Sequence, residues 1–107
     1  MRSIKPIICT LTARERARRG DRWLDVLGRA AAGVRPLPDG VAIRLACDDA
    51  TLQTLRELMK LEAACCEWML LDLREDALGR TLTMRAESAA GVAVIRTWSA
   101  KLSEKSA

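Results

Sequence analysis

Two turn signals, each flanked by hydrophobic residues of period two, constrain this chain more than any other feature. The first is Leu37-Pro38-Asp39-Gly40, which follows residues 34–37 and precedes a run where Val41, Ile43, Leu45 and Cys47 alternate with other residues. The second is Ala77-Leu78-Gly79. Before it Met69, Leu71 and Leu73 alternate with Leu70, Asp72 and Arg74, and after it Leu82, Met84 and Ala86 share one side. Short turns of this kind join antiparallel neighbours, and alternation of period two marks strands with one buried face. Two hairpins are incompatible with the regular strand-helix alternation of a parallel sheet.

The remaining segments carry helix signals. Thr12-Ala-Arg-Glu15 is a capping-box pattern, and it predicts a helix over residues 13–32 that stops at Gly33. Ala13, Ala17, Leu24, Leu27 and Ala31 form its apolar stripe, with Arg14, Arg18, Arg22, Asp25 and Arg29 turned to water. Asp48 or Asp49 caps a second helix through Leu52, Leu55, Leu58, Met59, Cys65, Cys66 and Met69, with the spacing changing to period two after Trp68. Ser88 caps a third, with Ile95, Trp98 and Leu102 on one face and residues 103–107 as a frayed tail. Residues 4–11 (IKPIICTL) read as an opening strand with Ile7, Cys9 and Leu11 on one side. The expected fold is a single α+β domain over residues 1–107, in the order β-α-β-β-α-β-β-α, with helices on one face of an antiparallel sheet.

Composition narrows the chemistry. The chain has 107 residues, 50% of them hydrophobic, and no His, so imidazole is absent as base, haem ligand or zinc ligand. Trp23, Trp68 and Trp98 are its only aromatic residues and read as core fillers. No apolar run approaches the roughly 18 to 20 residues that cross a bilayer, so no membrane association is expected. Residues 1–12, interrupted by Pro6 and followed by charge, do not resemble a signal peptide, which points to the cytoplasm. In that reducing compartment the four cysteines are thiols or metal ligands before they are a disulfide framework.

The segment Glu62-Ala-Ala-Cys65-Cys66-Glu67-Trp68 is the most informative stretch. On a helix Glu62 lies one turn before both cysteines, and a carboxylate on that apolar face needs a partner, a proton or a site to serve. Adjacent helical positions diverge by about 100°, so Cys65 and Cys66 each need a further ligand, from Cys9 or Cys47. Sulfur-rich sites of this kind suit thiophilic ions such as Cu(I), Hg(II) or Zn(II). A reactive thiolate would instead need a nearby cation: Arg56, Lys60 or an arginine of the first helix.

These residues also carry a resemblance. Glu62-x-x-Cys65-Cys66-x-Trp68, with Pro6-Ile7-Ile8-Cys9-Thr10-Leu11 upstream and a hairpin downstream, resembles a family of small, largely uncharacterised bacterial proteins. That family has an early I-A-C-x-L strand, an E-R-x-C-C-P-F-x-x-F segment and a T-G-P helix start. Here Glu67 stands for the motif's Pro, Trp68 and Leu71 stand for its Phe residues, and Ser88-Ala-Ala-Gly91 stands where T-G-P would be. The resemblance implies that Cys9, Cys65, Cys66 and Glu62 are the site residues, in proteins sometimes associated with heavy-metal resistance.

The leading expectation is therefore soft-metal or metalloid binding for storage, sensing or resistance. Cys65 or Cys66 is the primary ligand, Cys9 the second and Glu62 an auxiliary group. A small thiol-dependent redox enzyme and a noncatalytic interaction module are the alternatives, and buried cysteines acting only as small hydrophobes are the plain one. The net charge is +4 and clusters in residues 12–33, where six Arg face Glu15, Asp21 and Asp25. Nucleic-acid binding by Arg14 to Arg22 ranks lower, since interleaved acids make a solvated helix face. A small chain with open sheet edges also suits a homodimer.

Overall fold

The computed structural model describes residues 12–65, 68–77 and 79–106. Their order is α1 (Ala13–Ala30), β1 (Ala31–Leu37), β2 (Gly40–Leu45), α2 (Asp49–Cys65), β3 (Met69–Asp76), β4 (Gly79–Ala86) and α3 (Ala89–Ser106). The fold is α+β as expected, but the described order begins with a helix and not with a strand. The expected opening strand, residues 4–11, lies outside the described residues.

Local chemistry starts each helix where the sequence indicates. Thr12 caps α1, its hydroxyl accepting from the Glu15 amide at 3.2 Å and donating to Glu15 Oε1 at 2.9 Å. Asp48 caps α2, accepting from the Thr51 amide at 2.8 Å, and Ser88 caps α3, accepting from the Gly91 amide at 3.0 Å. The end of α1 differs from expectation. It stops at Ala30 because Ala31 is already extended and paired with Leu45, while Ala30 O accepts from the Ala46 amide at 2.7 Å. Sheet pairing thus overrides the helical preference of the alanine run, and a bulge between Ala31 and Gly33 restores register. Residues 103–106, expected as tail, belong to α3.

All strands pair antiparallel in the order β1-β2-β4-β3. Register sets Val34, Ile43, Leu82 and Leu73 in one row across the sheet, and Pro36, Val41, Met84 and Leu71 in another. The inward residues of the two central strands, from Val41 and Ile43 to Leu82 and Met84, are buried. α2 contacts β3, α3 contacts β1, β2 and β4, and α1 packs against α2 and α3. Outward positions such as Arg35, Arg44, Leu70, Arg74 and Arg85 are exposed, so the helices cover one face only. Cys47, expected on the inward row of β2, lies beyond the strand's end and is half-buried against the core. The buried side of α1 is also shifted: Trp23, Leu24, Val26, Leu27 and Ala30 are buried and Ala17 is exposed. No helix among the described residues is long and apolar enough to cross a membrane.

Two tests follow from this geometry. A Cβ added at Gly40 would lie 1.8 Å from Met84 O, whereas one at Gly20 meets nothing within 4 Å. Gly40→Ala is expected to cost about 1–3 kcal/mol or more and Gly20→Ala to gain roughly 0.5–1 kcal/mol; urea unfolding of both variants checks the opposite signs. The Thr51 side chain, then its backbone amide, hold the Asp48 carboxyl below its ordinary value of 3.8, with Arg29 adding to the effect. A carboxyl lowered on folding stabilises above its ordinary value, and that stability is lost as pH falls through the lowered one. Asp48→Asn keeps the cap without the charge, so melting should be near parental at neutral pH and depend less steeply on acid below about pH 4.

Candidate functional site: a buried carboxylate before the tandem cysteines

α1 and α2 meet through one charged contact. Glu62 is 6% exposed. Its Oε1 accepts from Trp23 Nε1 at 3.0 Å, and Arg19 approaches the same oxygen at 3.6 Å. Arg19 and Trp23 are four apart on α1, so one helix face delivers a guanidinium and an indole N–H to a single carboxylate. The indole is fixed in turn by Trp98 of α3, edge-on with ring centroids 6.5 Å apart. The carboxylate thus has both things burial demands, a donor and a countercharge.

The expected site residues fall as follows. Glu62 is held by α1, and Cys65 is the last residue of α2, three positions further on. Cys9 and Cys66 lie outside the described residues. Cys47 is a free thiol after β2. Among the described residues no group of three or more Cys, Asp or Glu side chains is placed to hold a metal ion.

Electrostatics around the end of α2 are set from outside that helix. Its last turn has no basic residue, and a helix C-terminus carries partial negative charge. Arg56, one of the cations considered for the thiols, instead bonds Glu75 of β3 at 2.6 Å. Arg80 joins that surface group through Glu75 and Asp49 at 3.6 and 3.7 Å. These pairs are largely solvated and contribute little to stability. An arginine of α1, Arg19, is the cation that reaches Glu62.

Sequence reading missed Arg19 and Trp23 as site residues. It centred the α1 stripe on alanines, which leaves Arg19 outside. Centring the stripe on the bulkiest apolar residue, Trp23, would have turned Arg19 inward one turn earlier and exposed the pairing. No protein-family model, curated protein or solved structure matches the chain.

Glu62→Ala strands the buried indole N–H and takes a countercharge from Arg19, and is expected to destabilise by about 1–3 kcal/mol. Trp23→Phe removes one hydrogen bond to a charged acceptor and should cost about 1.5–3 kcal/mol. Chemical unfolding of both, with the double variant closing a cycle, checks that the two losses are strongly non-additive.

Proposed function

We propose that the chain binds a thiophilic metal ion or metalloid at the end of α2. Cys65 and Cys66 supply thiolate ligands, Cys9 a further one, and Glu62 is a positioning group held by Trp23 and Arg19. The observation that carries this reading is the buried Glu62 clamp placed one helical turn before two successive cysteines. A carboxylate one turn earlier in the sequence and a helix C-terminus both oppose thiolate formation, which argues against a self-activated nucleophile. Arg19 offsets the carboxylate and reduces that opposition. A soft cation supplies the rest, because binding itself drives the protons off the sulfurs. With no imidazole in the chain, sulfur ligation favours Cu(I) or Hg(II) over hard ions, with Zn(II) between. The reading sets the protein in a reducing compartment, the cytoplasm, where four thiols persist.

Native mass spectrometry of anaerobically purified protein, challenged with Cu(I) or Hg(II) against a competing thiol chelator, tests it. Cys65→Ser and Cys66→Ser should each lower metal retention by at least about tenfold, in the range set by losing one soft ligand. Cys47→Ser should leave retention unchanged, and the same spectra report whether the protein is a homodimer. Equal retention in the parent and all three variants, or a bare reduced mass after challenge, overturns the assignment.

A further inference from the structure

The outer edge of β3 has no strand partner among the described residues. Asp76 pairs with Gly79 to close the β3–β4 hairpin. Arg74, Asp72 and Leu70 therefore bond to β4, while Met69, Leu71, Leu73 and Glu75 turn their N–H and C=O groups to the outer edge. On the helix side Met69, Leu71 and Leu73 are only half-buried, although Ala86, Met84 and Leu82 beside them are buried. An apolar row and a row of unpartnered backbone groups thus run off the sheet together. β1, the other edge, is protected: Pro36 has no N–H to offer, and a bulge interrupts the strand between Ala31 and Gly33.

We infer that residues 4–11 dock on the outer edge of β3 as a fifth, antiparallel strand. Chain direction selects this occupant. Ala30 O accepts from the Ala46 amide before α2, and Trp23 and Arg19 reach Glu62 near its end, so α1 and α2 run antiparallel. Thr12 caps α1 about 10 Å beyond Arg19, at the end of α2 from which β3 departs. A strand ending at Leu11 runs towards that point, opposite in direction to β3. Beside β1 it would be parallel, the weaker pairing. Parity selects it again. With Ile7, Cys9 and Leu11 continuing the apolar row, Pro6 falls where an N–H would face away from β3, so its missing donor breaks no ladder bond. Charge agrees: β3 carries Asp72, Glu75 and Asp76 against Arg74, with Glu75 held by Arg56 and Arg80, and residues 1–11 carry Arg2 and Lys5 and no acid. The β3 of a second copy would bring the same acids. It would also lack the tether at Thr12, which gives residues 4–11 an effective concentration on the order of millimolar. Docked in this way, Cys9 lies on the side of β3 that α2 covers, the helix that ends in Cys65. The docking needs no metal; its bearing on ligation by Cys9 rests on the soft-metal reading.

The test is amide hydrogen exchange followed by NMR on the full chain, reduced and held with a chelator so that no metal is bound. In the parent the Leu71 and Leu73 amides should be protected comparably to that of Asp72, which bonds β4. Ile7→Lys, on the docking side, should speed exchange at Leu71 and Leu73 at least about tenfold and leave Asp72 unchanged. Ile8→Lys, on the other side, should stay within about twofold of the parent at all three. Hα–Hα Overhauser contacts between residues 4–11 and β3 are expected in the parent and need no variant. Unprotected Leu71 and Leu73 amides in the parent overturn the inference, as does equal loss in both variants. So does protection that appears only as protein concentration is raised, which would give the edge to a second copy. An effect of Ile7→Lys on Val34 of β1, in place of Leu71 and Leu73, overturns it too. No thiol is altered and no metal is present, so these outcomes stand apart from metal retention, which has its own test.

Discussion

The pairing of β2 with β4 is the contact on which the remaining geometry depends. Each hairpin closes locally through its own turn, but a lone hairpin buries too little to persist. Joining them aligns Ile43 with Leu82 and Val41 with Met84, and makes one apolar surface from two. That approach requires Gly40, since a side chain there would collide with the Met84 carbonyl. Once the sheet exists, α2 must run from the end of β2 to the start of β3, and α3 must return from β4 across β2 and β1. α1 then has one surface left to cover, the one formed by α2 and α3, and this brings Trp23 and Arg19 to Glu62.

The same sheet separates two kinds of chemistry. Its inner face carries aliphatic rows and is covered by the helices. Its outer face carries Arg35, Arg44, Arg74 and Arg85 together with Asp72, Asp76, Thr81, Thr83 and Leu70, and no described element covers it. Strict alternation makes this division possible: a single-residue slip in register would send Ile43 and Leu82 outward and Arg44 and Thr81 inward, a cost high enough to fix the pairing. Burial on one side therefore dictates where the charges on the other side stand, and the outer charged residues occupy defined rows.

Most of the architecture was legible because its signals are local. Both turns, the alternation of residues 69–74 and the caps at Thr12, Asp48 and Ser88 depend on neighbours in sequence, and each stands where local chemistry puts it. What depended on tertiary pairing was less legible. The end of α1 yields to a strand partner, Leu45, fourteen residues downstream of Ala31. Cys47 looked like the continuation of a strand because period two cannot show where pairing stops, and β2 ends at Leu45. The need of Glu62 for a partner was plain from its place on an apolar face. Its partners were not, because they lie on another helix, 39 residues away in the case of Trp23. Of the expected ligands, Cys9 and Cys66 fall outside the described residues, so their meeting with Cys65 rests on the sequence pattern alone.

The clamp itself bears on function. A buried ion pair is seldom the most stable filling for its space: apolar residues of similar volume commonly do as well or better, because two charges need not be desolvated. Such a replacement would have to change Arg19 and Trp23 together with Glu62, since both direct a donor at its carboxylate. Stability therefore does not explain the carboxylate. Orientation does, because a carboxylate with an indole N–H on one side and a guanidinium beside it fixes both the rotation of α2 about its axis and its depth against α1. A leucine in its place would allow the helix to slide or turn by part of a residue. One turn further along the sequence stand Cys65 and Cys66. The proposed soft-metal site would draw on such a fixed rotation, because ligands have to be held in direction by the groups behind them.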